Sequence, residues 1–237
     1  MTAIQDEIPP LAEALEGKSP AEILAAVAPR FSGRIALASS FGAEDCLLVD
    51  VVARAKLPIE VFTLDTGFLF PETYALWARI EERYGIRIRA AKADVAPLDR
   101  SRPPWEEDPD ACCALRKVEP LRAMLATLGA WVTGIRRDQT PDRANARVVE
   151  WDARFGLVKV NPLVAWKPDD VRAYLRRFDV PTNPLHDRGY LSIGCAPCTT
   201  PVRPGEDPRS GRWRGREKTE CGLHVRDAKR GERDGGS

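Results

Sequence analysis

The stretch that most limits what this chain can fold into runs from residue 35 to residue 55. Ile35-Ala36-Leu37-Ala38-Ser39 is a short apolar run ending in a small polar residue, which reads as a buried strand. The loop Ser39-Ser40-Phe41-Gly42-Ala43-Glu44-Asp45 follows, and Leu47, Leu48, Val51, Val52 and Ala55 then recur at helical spacing. The same alternation returns along the chain. Ile59-Glu60-Val61-Phe62-Thr63-Leu64 is a second strand, and Pro71 opens a helix with Trp77, Ile80 and Tyr84 on one face. Residues 86–90 form a third strand whose clean alternation places it near a sheet edge. Ala130-Trp131-Val132-Thr133-Gly134-Ile135 is a fourth and Leu157-Val158-Lys159-Val160 a fifth. A capping box at Ser19-Pro20-Ala21-Glu22 starts an early helix, and Pro168-Asp169-Asp170 starts a late one. Strands alternating with helices predict an α/β fold: a mostly parallel sheet flanked by helices, joined by right-handed crossovers.

In open α/β sheets ligands bind beyond the carboxyl ends of the strands, so the polar residues there are candidates. The loop at residues 39–45 leads into a helix N-terminus, an arrangement that holds an anion on backbone N–H groups. It lacks the Lys-Ser/Thr ending of an ATP-binding P-loop. Ser39, Ser40, Phe41 and Gly42 are its candidate contacts. The second strand ends in Leu64-Asp65-Thr66-Gly67. The fourth leads through Gly134 to Arg136, Arg137 and Arg143, whose guanidinium forks match phosphate or sulfate. An ordinary strand-to-helix turn and a solvated charged loop are the plainer readings of the same residues.

Composition narrows the class. A chain of 237 residues, 43% hydrophobic, suits one large domain or one domain with an appendage. Lys plus Arg number 36 against 35 Asp plus Glu, a net charge of +1, which gives no support for nucleic-acid binding. No apolar run approaches the ~18 residues of a membrane helix. Residues 1–16 are acidic and lack the basic, apolar, small-residue series of a signal peptide. The expectation is a cytoplasmic protein with no membrane partner; a homo-oligomer stays open. In that compartment six cysteines point to metal binding or catalysis rather than disulfides.

Cys46 sits among apolar neighbours and reads as a core residue. Cys112-Cys113 and Cys195-Ala196-Pro197-Cys198 are the strongest local signals. Four soft thiolates suit zinc or an iron–sulfur cluster. Neighbouring residues on a helix point about 100° apart, so the tandem pair can serve one site only at a terminal or distorted turn. Asp110 as N-cap would supply one. A bulky cubane tolerates that bite better than a small tetrahedral ion, which favours [4Fe–4S]; zinc and metal-free buried cysteines are the alternatives. Lys117, one helical turn past Cys113, is placed to stand between an anionic cluster and an anionic substrate.

Near the C-terminus stands Glu220-Cys221-Gly222-Leu223-His224. Arg212, Arg214, Arg216, Lys218 and Arg226 surround it, and positive charge favours the nucleophilic thiolate. His224 is within reach as a charge partner or proton donor. The chain divides into an α/β domain at 1–203 and a mobile tail at 204–237.

Taken together, these residues resemble the assimilatory adenylyl-sulfate reductases, in the family that also contains the phosphoadenylyl-sulfate reductases. The resemblance spans residues 35–224. It rests on the loop at 39–45, Leu64-Asp65-Thr66-Gly67, the loop at 136–143, the tandem-plus-CxxC cysteines and Glu220-Cys221-Gly222-Leu223-His224. It implies an adenine-nucleotide α-hydrolase-like fold and a [4Fe–4S] cluster on Cys112, Cys113, Cys195 and Cys198. It further implies adenylyl sulfate as substrate, with the phosphosulfate contacted by Lys117, Arg209, Arg212 and His224, and Arg143 binding the substrate as well. The implied reaction is attack by Cys221, then release of sulfite by thioredoxin or a similar dithiol. Other readings remain: a phosphoadenylyl-sulfate or dual-specificity reductase, or a metal-stabilised nucleotide-binding protein whose tail cysteine is incidental.

Overall fold

The protein is represented by a computed structural model that describes residues 3–94, 103–218 and 221–223. The first helix, α1 (Ala3–Leu15), sets Ile8, Ala12 and Leu15 against the core although Pro9 and Pro10 lie inside it. Those prolines conceal it in the sequence. Next, α2 (Pro20–Val27) starts on Ser19, whose hydroxyl accepts from the Glu22 N–H while Glu22 accepts from the Ser19 N–H at 2.9 Å, the expected capping box. Then come β1 (Ile35–Ala38), α3 (Ala43–Arg54), β2 (Glu60–Leu64), α4 (Pro71–Tyr84) and β3 (Ile88–Ala91). Two short helices follow, α5 (Pro104–Glu107) and α6 (Pro109–Cys113). A π-helical turn, Ala114–Val118, joins α6 to α7 (Glu119–Leu125). The chain continues through β4 (Ala130–Val132), β5 (Val149–Asp152), β6 (Leu157–Val160) and α8 (Pro168–Arg177).

The six strands form one sheet in the order β3-β2-β1-β4-β6-β5. All neighbours are parallel except β5, which pairs antiparallel with β6 from Val149 opposite Val160 to Asp152 opposite Leu157. β3 is an edge strand, as its alternation predicts. β5 is absent from the reading of the sequence: Val149-Glu150-Trp151-Asp152 is too short to show its period beside the charged loop before it.

Strand alternation sends side chains to two unequal cores. On one face Ile35 and Leu37 join Val61, Ile88, Val132 and the apolar stripes of α1, α2, α3, α4 and α8. On the other, Ala36, Phe62, Trp131 and Leu157 meet Leu121, Met124 and Leu125 of α7. Successive strands run outward from β1 in one direction to β3 and then resume beside β1 with β4. This reversal opens a crevice at the carboxyl ends of β1 and β4, where doubly wound sheets bind ligands.

Candidate active site

Three loops meet at that crevice. The first follows β1. Ser39 is buried and its hydroxyl accepts from the Phe41 N–H at 3.2 Å. The Ser40 N–H and hydroxyl both donate to Asp45, at 2.6 and 2.7 Å. Phe41 takes a left-handed φ of 60° and stacks on Trp77 with ring centroids 5.7 Å apart. The strained residue is held by that packing, and it turns the loop into Gly42, the N-cap of α3. Burial raises the Asp45 carboxyl above its usual range, against the pull of its Ser40 hydrogen bonds and of Arg143. Cys46 is fully buried, as expected of a core thiol, and burial pushes it far up.

Following β4, Gly134 passes so close to α3 that a Cβ there would lie 2.9 Å from the Glu44 Cβ and collide with the Asp45 carboxylate. Only glycine fits the crossing. Beyond it the three arginines separate. Arg136 is buried, pairing with Glu44 and, at 2.9 Å, with Asp138, so its guanidinium ties the two loops together. Arg137 is taken by Glu16 after α1, at 2.8 and 3.0 Å. Arg143 is half-buried and donates to Gln139 at 2.5 Å.

Leu64 ends β2, and the chain continues into Asp65, which accepts from the Gly67 N–H and the Tyr74 hydroxyl and pairs with Lys92 at 2.8 Å. Burial would raise the Asp65 carboxyl, but Lys92 and Tyr74 hold it below its usual range. Thr66 faces the other way. Its hydroxyl lies 3.2 Å from the Cys195 sulfur, and its carbonyl accepts from Arg116 at 3.2 Å. The substrate-side loop and the cysteines therefore share a residue.

Cys112, Cys113, Cys195 and Cys198 line one cavity with Thr66, Phe68, Trp105, Arg116 and Lys117. Asp108, not Asp110, is the N-cap, accepting from the Asp110 and Ala111 N–H groups at 3.0 and 2.9 Å. Pro109 takes the first helical position, which moves the cap two residues back. The tandem pair then closes a five-residue helix that passes at once into the π-helical turn. This is a distorted turn of the kind the pair requires, and π-turns recur at functional sites. On the other wall a 3-10 turn, Ala196–Cys198, is anchored by the Thr199 hydroxyl donating to the Cys195 carbonyl at 2.8 Å.

Burial, and next the nearby Cys195, raises the Cys112 thiol, while burial pushes Cys113 up to about 11 against the pull of Lys117 and Lys218. Cys198 is raised by burial and then by Cys195. Burial thus works against the thiolates a metal ligand must be, and a bound cationic body would offset it. Among the described residues no group of three or more His, Cys, Asp or Glu side chains stands in position to hold a metal ion.

Lys117 is 8% exposed. Burial alone would lower its ammonium, yet Cys195, Cys221 and Cys113 as thiolates outweigh both burial and the like charge of Arg212, and it lies above its usual range. Lys117 lines the cavity, and the next residue, Val118, lies against Gly222 beside the tail cysteine.

The tail returns to this wall. The Trp213 N–H donates to the Cys198 carbonyl at 3.0 Å, and Thr199 bridges to Arg212. Trp213 is buried, with the Arg212 guanidinium 4.5 Å over its ring. The Arg212 Nε is buried and has no hydrogen-bond partner among the described residues. Arg209 is half-buried in the same fold-back. Trp213 and Arg154, which donates to the Gly222 carbonyl, escape the reading of the sequence, because neither lies in a motif. Cys221 is half-buried. His224 lies outside the described residues.

Residues 34–201 match the phosphoadenosine phosphosulfate reductase domain. The chain is 45% identical to a phosphoadenosine 5'-phosphosulfate reductase of Gloeobacter violaceus, over 91% of this chain and 92% of the relative. It is 46% identical to adenosine 5'-phosphosulfate reductase 1 of Bacillus subtilis (82% and 85%) and 44% identical to an adenosine 5'-phosphosulfate reductase of Streptomyces coelicolor (94% and 100%). Among solved structures it resembles the phosphoadenylyl-sulfate reductase of Candida auris, solved as a phosphate complex, with TM-score 0.75 and 29% identity over 84% of this chain and 99% of that one.

Proposed function

This chain belongs to the phosphoadenosine phosphosulfate reductase domain family, and we propose that it reduces adenylyl sulfate to sulfite and AMP, with a dithiol protein such as thioredoxin as electron donor. The observation that carries this reading is the meeting of a four-cysteine cavity, buried Lys117 and the tail thiol Cys221 beside the crevice. The adenosine 5'-phosphosulfate reductases among its relatives support it.

The residues divide the work. The crevice loops, with Ser39, Ser40 and Gly42 after β1 and Gly134 and Arg143 after β4, hold the nucleotide. Lys117, Arg209 and Arg212 face the phosphosulfate. The Cys221 thiolate attacks the sulfate sulfur. A sulfur–sulfur bond forms, the bridging sulfur–oxygen bond breaks, and its electron pair leaves with AMP. Cations facing the sulfuryl and phosphate oxygens offset the charge that builds there. Cys221 is left carrying SO3⁻. A thiolate of the donor then attacks the Cys221 sulfur, and sulfite departs with the bonding pair. The donor's second thiolate resolves the mixed disulfide, so the donor loses two electrons and Cys221 returns as a thiolate.

Cys112, Cys113, Cys195 and Cys198 would hold a [4Fe–4S] cluster. An all-sulfur set lining one cavity suits a body that takes one thiolate per iron, and the tandem pair on a distorted turn bites a bulky cubane more readily than one small tetrahedral ion. Bound there, the cluster would supply a fixed negative charge against which Lys117 is oriented.

The test is sulfite release with reduced thioredoxin from adenylyl sulfate and, separately, from its 3'-phosphorylated form. Preference for adenylyl sulfate supports the reading. Turnover of the 3'-phosphate alone would match the Gloeobacter relative's name instead, and no sulfite from either would sink it.

A further inference from the structure

The second face of the sheet carries a contact that the chemistry above does not use. There α7 is the helix that covers the apolar cluster of Phe62, Trp131 and Leu157, and Leu223 packs against the same cluster. One residue earlier, the Gly222 carbonyl accepts from the Arg154 guanidinium. Arg154 stands in the turn between β5 and β6, its guanidinium 5.2 Å over the Phe155 ring, so the donor is stacked in place before it meets the tail. On the other side, a Cβ on Gly222 would lie 3.5 Å from Val118 Cγ2, and Val118 follows Lys117 on the π-helical turn. Gly222 has a φ of 81°, a conformation that turns the chain between its two grips at little cost for glycine.

We propose that Arg154 is a positioning residue: with Leu223 it holds the tail so that Cys221 faces Lys117 for sulfur transfer. This rests on the reductase reading. The two half-reactions make opposite demands on one sulfur. In the first, the Cys221 thiolate must approach the sulfate sulfur while AMP leaves with the electrons of the broken sulfur–oxygen bond. In the second, an external thiolate must reach the same Cys221 sulfur from outside. A charged donor on a backbone carbonyl together with one apolar side chain holds the tail for the first.

Two measurements on the full-length holoprotein test this. The first is the rate of Cys221 alkylation by iodoacetamide, followed by peptide mass analysis and requiring no turnover. Arg154→Ala should raise it roughly tenfold, the effect expected of one charge-assisted hydrogen bond; Leu223→Ala should raise it as well. Arg154→Lys should restore part of the protection, and Arg122→Ala, which removes the other cation over Phe155 (5.7 Å), should leave it unchanged. The second is single-turnover formation of the Cys221 S-sulfonate with adenylyl sulfate and no reductant. Arg154→Ala should slow it roughly tenfold, while reduction of preformed S-sulfonate by thioredoxin should hold. Alkylation within about twofold of the parent in both Arg154→Ala and Leu223→Ala overturns the proposal, since a bond of this class is worth more. Failure of the parent itself to form S-sulfonate would instead defeat the reductase reading, with the alkylation rates still deciding whether Arg154 docks the tail.

Discussion

Removing the Lys117 ammonium is the perturbation whose effect the structure bounds best. Lys117 is 8% exposed and interacts with the sulfurs of Cys195, Cys221 and Cys113. At an effective dielectric near ~20, one unit charge pair at ~4 Å is worth about 4 kcal/mol. Two costs oppose it: the lost hydration of the ammonium and the like charge of Arg212. A net loss of at least ~1.4 kcal/mol of transition-state stabilisation remains, a fall of ~10-fold or more in kcat/KM for Lys117→Ala. Lys117→Arg should recover only part, because a planar fork does not replace a compact charge in a site this closed. Steady-state rates with adenylyl sulfate, normalised to iron content, make the measurement. Iron content should stay near that of the parent, since Lys117 is no ligand. A loss under ~2-fold would refute the reasoning, because that is what an exposed charge contributes.

Three further outcomes follow from the same geometry. Each of Cys112, Cys113, Cys195 and Cys198 changed to Ser should lower bound iron, whereas Cys46→Ala should keep it; iron analysis decides, and normal iron in Cys113→Ser would exclude the tandem pair as ligands. Gly134→Ala sets a Cβ against Glu44 and Asp45 and should destabilise by about 1–3 kcal/mol, the usual cost of overpacking, and weaken AMP binding; calorimetry showing neither would contradict the close crossing. The His186 ring is held below its usual 6.5 by burial, with Nδ1 2.9 Å from the Tyr190 carbonyl and Nε2 buried without a partner among the described residues. A base whose folded pKa is depressed is protonated first in the unfolded chain, so its contribution is full above about pH 6.5 and is lost as pH falls. Tm should therefore drop between pH 7 and 5 less steeply in His186→Gln, and equal slopes would count against the assignment.

What the sequence made legible depended on range. Strands β1, β2, β4 and β6 are apolar runs in a buried parallel sheet, so each announces itself locally. Cys112-Cys113 and Cys195-Ala196-Pro197-Cys198 are dense enough in one chemistry to be paired across some eighty residues. The hidden features are those set by tertiary contact. α1 holds two prolines and is stabilised by what it packs on. The cap on α6 is a different case: Pro109 at the first helical position marks Asp108 by local sequence alone, as Pro20 marks Ser19. The fate of Arg136 and Arg137 turns on Glu44 and Glu16, carboxylates far off in sequence. Arg154 meets Gly222 only because β5 and β6 bring their turn beneath the tail.

The central claim is that Cys221 takes the sulfuryl group from the nucleotide. The most direct measurement is intact and peptide mass analysis of the iron-replete protein mixed with adenylyl sulfate in the absence of any reductant. The account predicts a gain of one SO3 group on the peptide carrying Cys221, stoichiometric with AMP, and its loss as sulfite when reduced thioredoxin is added. Cys221→Ser should bind iron normally and show no adduct. An unmodified Cys221 beside released AMP, an adduct on another cysteine, or sulfite from Cys221→Ser would contradict it.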